Sequence, residues 1–507
     1  MEERYKRRKM DIKNVYKKWR KKNIFKFAIF LLPIIAVGAI VFGLLLSSGD
    51  SGNEMGLYAD DEGFSENGNV ETGSYYPNRK LAYLREERDT EESLAHLRDE
   101  KDTEESSVPL RDEKDTEESS APIREEMDTE LSAEEITEEY KNDISKVMKM
   151  DTIKDIVAKR LSSAEIFIVW NSIDDELVKC GQYIIMRRGT SVNVASAEWE
   201  KIGVVQVGQD TREIVESANG AGHKYGFTDV LSTSEPVRYE YRIDLKAADG
   251  TLYTGTEGST VVASNVLICI DPGHFKGATT VSGESMYGYQ EGIFTLKVGL
   301  ALREELAKYG IDSYLTRETD SITIGNYTNA TLDSKYLSLR GEYAAGSSLF
   351  LSIHTNANND NVNGCDTWQQ PLEINKTLVI VNQIASRSEQ AVAIANEIGA
   401  TVTATSYRLG LSLTEQFERV DLNSLKLWTS DFNDSIDEKG TVCYRWGTNG
   451  DYYGVLRGAA NVGVPGIIIE HGYHTVEEVR RQAMTEDLAI EWAKADAYGI
   501  AKGLGFE

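Results

Sequence analysis

Cysteine is scarce: four in 507 residues (Cys180, Cys269, Cys365 and Cys443), with no C-x-x-C pair among them. That scarcity excludes a disulfide-dense scaffold and a thiolate zinc cluster, and it fits free, buried thiols. Positive charge is also short, with 55 Lys and Arg against 82 Asp and Glu and a formal net charge of −27. An acidic excess of this size argues against a broad nucleic-acid-binding surface. Whole-chain disorder is excluded by the 41% of apolar residues, which is ample for a large core. The length suggests about three domains.

The charge is unevenly spread. Residues 1–26 carry 12 Lys and Arg against 3 acids, and Phe27 to Leu46 follow as 20 uncharged residues. As a helix this run is about 30 Å long, the thickness of a bilayer's hydrocarbon core. It ends in Leu44-Leu45-Leu46 and Ser47-Ser48-Gly49 with no small-x-small cleavage site, as in an uncleaved signal anchor. The basic flank places 1–26 in the cytoplasm and the remainder outside the cell membrane as a single-pass protein.

From Ser47 to Met150 the chain holds 31 acids against 12 bases. Leu84-Arg85-Glu86-Glu87-Arg88-Asp89-Thr90-Glu91-Glu92-Ser93 recurs from Leu97, from Leu110 and, degraded, from Ile123, a period of 13 residues. That period matches neither supercoil repeat, and Pro109 and Pro122 interrupt any continuous helix. Residues 47–131 therefore read as a disordered, solvated acidic linker, with a coil span of about 60 Å for the whole acidic stretch. A docking strip for a basic protein partner or a cation is the alternative.

A capping-box pattern at Ser132-Ala133-Glu134-Glu135, then Ile136, Tyr140, Ile144 and Val147, predicts a helical stalk over 132–160. Residues 161–263 instead predict a β-sandwich, from short β-branched and aromatic runs at 166–170, 182–186 and 239–243. A single Trp170 in an early strand, Tyr225-Gly226-Phe227-Thr228-Asp229 and the alternating Tyr239-x-Tyr241-x-Ile243 resemble a fibronectin type III domain, which implies a spacer or interaction module. No catalytic constellation occurs there.

Beyond Val266 the pattern becomes α/β. The buried-strand run Val266-Leu267-Ile268-Cys269-Ile270 leads into Asp271-Pro272-Gly273-His274, putting a histidine at a strand's carboxyl end, where open α/β sheets build their sites. Glu291 opens a helix with Phe294, Val298, Leu302 and Leu306 on one stripe, a place where simple dipole capping competes with function. An edge-like strand at 311–316, closed by Arg317, and a helix around 337–345 follow. Leu349 to Ile353 delivers His354, and Val464 to Ile469 delivers Glu470. A catalytic Zn²⁺ takes three N and O ligands and keeps one position for water. His274, Glu291 and His354 supply the three, and Glu470 suits the acid/base acting on a zinc-bound water.

The segments Asp271-Pro272-Gly273-His274, the Glu291-led helix, Leu315-Thr316-Arg317, Ser352-Ile353-His354-Thr355-Asn356 and Ile468-Ile469-Glu470-His471-Gly472-Tyr473, in that order, resemble the zinc-dependent N-acetylmuramoyl-L-alanine amidases. The resemblance covers about 265–505. It implies an α/β fold with a mostly parallel sheet flanked by helices, and bacterial peptidoglycan as substrate. It also implies cleavage of the amide between N-acetylmuramic acid and L-alanine, with His274, Glu291 and His354 as zinc ligands and Glu470 as catalytic acid/base. The expected chain is thus a membrane-anchored cell-wall hydrolase with a catalytic domain at 265–507. A zinc peptidase acting within the stem peptide and a non-catalytic wall-binding scaffold are the alternatives.

Several points stay open on the residues alone. His354 and Glu470 are 116 residues apart, and the excess falls at about 408–448, a lid, a partner-binding insertion or a surface loop containing Trp428, Asp431, Asp434, Asp437 and Trp446. His471 and His474, beside Glu470, could bond the carboxylate, touch substrate or hold a loop. Glu284 is a rival ligand to Glu291 but opens no amphipathic helix. Cys365 and Cys443 bracket the insertion, and nothing in their spacing says whether they pair.

Overall fold

The computed structural model describes residues 146–149, 153–172, 181–196, 198–217, 222–255, 259–278, 286–358, 368–429, 435, 439–448 and 450–507. The expected cytoplasmic tail, the span at 27–46 and the repeat linker lie outside the described residues, as do Glu284, Cys180 and Cys365. Among the described residues no helix is long and apolar enough to cross a membrane.

The first half is a pair of antiparallel-rich sheets. In chain order it comprises β1 (Lys146–Lys149), β2 (Ile153–Ser162), β3 (Glu165–Ser172), β4 (Gln182–Gly189), β5 (Glu200–Gln206), the short helix α1 (Arg212–Ser217), β6 (Tyr225–Val230), β7 (Arg238–Lys246), β8 (Thr251–Thr254) and β9 (Val261–Ser264). Strands β2-β3-β6 form one sheet; β1-β8-β7-β4-β5, with β9 also on β7, form the other. Alternation along β7 buries Tyr239, Tyr241, Ile243 and Leu245, the period-2 pattern of a half-buried strand. Between the sheets Trp170 stacks on Tyr225 at 5.9 Å and meets Tyr183 edge-on at 5.6 Å, the offset and T-shaped arrangements that the ring quadrupole favours.

The helical stalk expected over 132–160 is corrected where the structure describes it. Lys146–Lys149 and Ile153–Ser162 are strands, pairing with β8 and β3. The β-branched Ile153, Ile156 and Val157 gain more from a ladder with an apolar sheet face than from a helix, so tertiary pairing overrides the four-residue spacing.

The second half continues with β10 (Leu267–Pro272), α2 (Glu291–Lys308), β11 (Asp312–Leu315), the ribbon β12 (Thr323–Ile324) and β13 (Tyr327–Thr328), α3 (Ser338–Glu342), β14 (Leu349–Asn356), β15 (Leu378–Val381) and α4 (Glu389–Arg408). It closes with β16 (Lys426–Leu427), β17 (Thr441–Tyr444), the ribbon β18 (Trp446–Gly447) and β19 (Gly450–Asp451), α5 (Gly454–Asn461), β20 (Gly466–Tyr473), α6 (Glu477–Ala483) and α7 (Glu486–Gly503). The sheet runs β11-β10-β14-β20-β15-β17-β16. All neighbours are parallel except β15 against β20. Five of the six junctions are parallel, so the sheet is mostly parallel as expected, with one antiparallel junction.

Period-2 alternation separates two apolar layers. Ile268, Ile270, Leu351, Ile353, Ile467 and Ile469 pack with residues of α2, α4 and α7. Cys269, Phe350, Leu378, Ile380, Cys443 and Ile468 pack with Val455, Leu456 and Ala459 of α5. Burying each such aliphatic side chain contributes roughly 1.5–3 kcal/mol before entropy is counted. Cys269 and Cys443 are both buried in this core. Part of the 408–448 stretch extends the sheet as β16 and β17. The two halves are joined at a polar seam: Arg160 of β2 donates its backbone N–H to Asp312 at 2.7 Å and its Nε to the Asn265 carbonyl at 2.9 Å, and the Val192 N–H bonds the Gly505 carbonyl at 2.8 Å.

Candidate active site

The carboxyl ends of β10, β14 and β20 lie side by side, with Pro272 opposite Ile353 and His354 opposite Glu470. Each strand buries its apolar run and releases its first polar residues at this edge. His274 follows β10 through a turn in which its own φ is +58°, a left-handed conformation that costs an L-residue roughly 1–2 kcal/mol. Its neighbour Gly273 is required there: a Cβ would lie 2.3 Å from His354 Cε1 and 2.6 Å from Nε2.

His274, Glu291 and His354 converge, their ligand atoms all within 4.8 Å of one another. His274 Nε2 lies 3.5 Å from Glu291 Oε2, and His354 Nδ1 lies 3.2 Å from Glu291 Oε1. The Thr355 N–H donates to Glu291 Oε1 at 2.9 Å. Burial alone would lower the His274 pKa, but the carboxylates of Glu291 and Asp333 outweigh it and push it up to about 9. Burial would raise the Glu291 carboxyl, but the two histidines outweigh that and hold it at about 2.

His274 is fixed from behind. Its Nδ1 meets Asp333 Oδ2 at 3.0 Å, and Asp333 Oδ1 accepts from Arg340 at 3.1 Å. The buried guanidinium of Arg340 also donates to Asp271 Oδ1 at 2.9 and 3.0 Å, while Thr316 and Ser352 donate to Asp271 at 2.5 and 2.8 Å. Arg317, also buried, clips the Pro272 and Gly273 carbonyls to the first turn of α2 through the Gly292 carbonyl. Asp333, Arg340 and Asp271 thus do for His274 what a ring-bound carboxylate does for a ligating histidine, fixing its rotation and tautomer.

Glu470 is buried opposite His354, and its Oε2 has no hydrogen-bond partner among the described residues. Burial first, and then the charge of Glu291, push its carboxyl up to about 8. His471 and His474 do not bond it: His471 pairs with Asp496, and His474 Nδ1 meets the Thr355 hydroxyl at 3.0 Å and stacks with Tyr289.

The donor set of two imidazoles and one carboxylate suits a zinc ion with an open coordination position. The carboxylate behind His274 and the unpaired oxygen of Glu470 beside the cluster fit such an ion with a polar reactant next to it. The sequence-expected site residues His274, Glu291, His354 and Glu470 are brought together. Asp333 and Arg340, which hold His274, were not legible: they stand alone in a loop or helix with no motif around them.

Fold and donor set define an α/β domain with a candidate metal site at a sheet edge. Residues 268–502 match the family model of N-acetylmuramoyl-L-alanine amidases. The match does not extend to the sheet pair that precedes it. A comparison with curated proteins gives no match. Among solved structures, the chain is similar to the N-acetylmuramoyl-L-alanine amidase AmiC2 of Nostoc punctiforme, at 20% identity over 47% of this chain and 97% of that one, with a TM-score of 0.30. The catalytic domain of CwlV from Bacillus (Paenibacillus) polymyxa var. colistinus is similar at 18% identity, over 48% of this chain and 99% of that one, with a TM-score of 0.31. The CwlD amidase from Clostridioides difficile, solved in complex with the GerS lipoprotein, is similar at 16% identity, over 48% of this chain and 100% of that one, with a TM-score of 0.33.

Proposed function

We propose that the chain is a zinc-dependent peptidoglycan amidase that hydrolyses the amide between N-acetylmuramic acid and L-alanine. The observation that carries this is the convergence of His274, Glu291 and His354 beside the buried, unpaired carboxyl of Glu470. His274, Glu291 and His354 would hold the ion; when bound, zinc supplies Lewis acidity that polarises an amide carbonyl and acidifies water. Glu470 takes the proton of the attacking water and returns it to the leaving nitrogen as the C–N bond breaks, leaving a lactyl carboxylate and a free L-alanine amine. Its raised pKa, near neutrality, suits both transfers.

The remaining chain is proposed to deliver this domain to the wall. The apolar run at 27–46 anchors it to the cell membrane with the basic tail inside, and the acidic linker spans the gap. The sheet pair at 146–264 serves as a fibronectin type III-like spacer, a role supported by its three-stranded sheet packed on a larger one. The test is to incubate full-length protein with purified sacculi and count new amino termini with and without a zinc chelator. Termini that appear only when zinc is available support the proposal; termini unaffected by chelation overturn it.

A further inference from the structure

The amidase chemistry above leaves one buried ionisable pair unused. His471 follows Glu470 on β20, and Asp496 lies on α7; their side chains are both fully buried, with Nε2 and Oδ2 2.9 Å apart. His471 Nδ1 is 3.2 Å from the backbone carbonyl oxygen of His354. A carbonyl can only accept, so Nδ1 carries a proton, and one further proton is shared between Nε2 and Asp496. Both ring nitrogens are engaged, and rotation of the ring breaks both contacts. Trp492 of α7 stacks on the ring at 5.0 Å and 27°. The same Trp492 meets Phe294 edge-on at 5.6 Å, three residues after Glu291 on α2.

Two observations make this more than a satisfied core pair. Asp496 Oδ1 is buried with no partner among the described residues, a costly arrangement that an apolar residue of similar size would avoid. The contact also falls where the β14·β20 register shifts: His354 is level with Glu470, but Asn356 is level with Tyr473, so β20 takes three steps where β14 takes two. Bulges of this kind re-aim side chains beside active sites. The backbone of His354 is gripped at the one point where the ladder is irregular.

We propose that Asp496 and His471 are positioning residues: a buried carboxylate–imidazole strut from α7 grips the His354 backbone at the bulge and keeps this ligand in line with Glu470 and, through Trp492, with Glu291 on α2. The inference rests on the zinc-amidase function proposed above.

The test measures zinc affinity of full-length protein by competition with a chromogenic chelator, beside thermal midpoints of the metal-free forms. His471→Phe keeps the stacking on Trp492 and deletes both hydrogen bonds. It is expected to bind zinc about 10–100-fold more weakly and to lower kcat with little change in KM. Asp496→Asn still offers a donor to Nε2 with the Nδ1 proton on the carbonyl, and it is expected to bind zinc about tenfold more tightly than Asp496→Leu. If His471→Phe does not fold, the Asn and Leu pair decides alone. Wild-type zinc affinity in His471→Phe and Asp496→Leu, with only the thermal midpoint lowered, would overturn the strut. Wild-type protein that takes up no zinc would instead sink the zinc-amidase function, and the strut with it.

Discussion

His354 and Glu470 stand opposite each other in register on adjacent parallel strands. One belongs to the candidate metal cluster and the other is a buried carboxyl with an unpaired oxygen. The sheet itself therefore sets the spacing between the candidate metal cluster and the proposed acid/base, with no loop between them to loosen it.

Glu470→Gln separates chemistry from stability. Activity is expected to fall about 10²–10⁴-fold with zinc retained. In the metal-free protein the Glu470 carboxyl, at about 8 against an ordinary 4.5, keeps a proton that the unfolded chain gives up. The stability this contributes is full below about pH 4.5 and is lost as pH rises through 8. The Gln variant lacks that loss. Its metal-free form should melt above wild type at pH 8 and level with it at pH 4 by calorimetry.

Zinc uptake should displace the proton that Glu291 and Asp333 hold on His274 up to about pH 9. Below pH 9, affinity is expected to fall about tenfold for each unit drop in pH, the signature of one released proton. Chelator competition at pH 6, 7 and 8 measures it; a flat profile contradicts the ligand assignment.

Gly273→Ala puts a methyl 2.3 Å from the His354 ring. Overpacking of this kind costs about 1–3 kcal/mol, and here the yielding group, His354, is a proposed ligand. Zinc content by elemental analysis and amidase rate should both drop sharply, while the unfolding midpoint moves only modestly.

Asp312 tests the seam between the two halves. Burial pushes its carboxyl up to about 6, partly offset by the Arg160 N–H and the neighbouring Lys159 and Arg160 charges. Its contribution to stability is full below the ordinary value of 3.8 and is lost as pH rises through 6. Asp312→Asn keeps an acceptor for Arg160 and removes the charge. It should gain on the order of 1–2 kcal/mol over wild type at pH 7 and nothing at pH 4 in denaturant titrations.

The parts of this site visible in the sequence are those carried by strong local patterns. The runs Val266–Ile270 and Leu349–Ile353 are apolar enough to be central strands, and each leads to a histidine, His274 four residues on and His354 directly. The stripe Phe294, Val298, Leu302 and Leu306 marks the helix that Glu291 opens, and all four are buried. Other features depend on partners distant in the chain. The four-residue run Leu378–Val381 is a strand whose direction no local pattern encodes, so the antiparallel junction with β20 was not foreseen. Thr441–Tyr444 is equally short and lies within what read as an insertion. Asp333 acts on a histidine 59 residues away, and Asp496 on one 25 residues away. The helical spacing of Ile136, Tyr140, Ile144 and Val147 pointed to a stalk running on to 160, yet the ladders with β8 and β3 make 146–149 and 153–162 strands.

The most direct test is mass spectrometry of the products released from purified peptidoglycan by zinc-loaded full-length protein. The account predicts intact stem peptides with a free L-alanine amine together with glycan strands carrying unsubstituted muramic acid. Shortened stems with the muramoyl–alanine amide intact would contradict it.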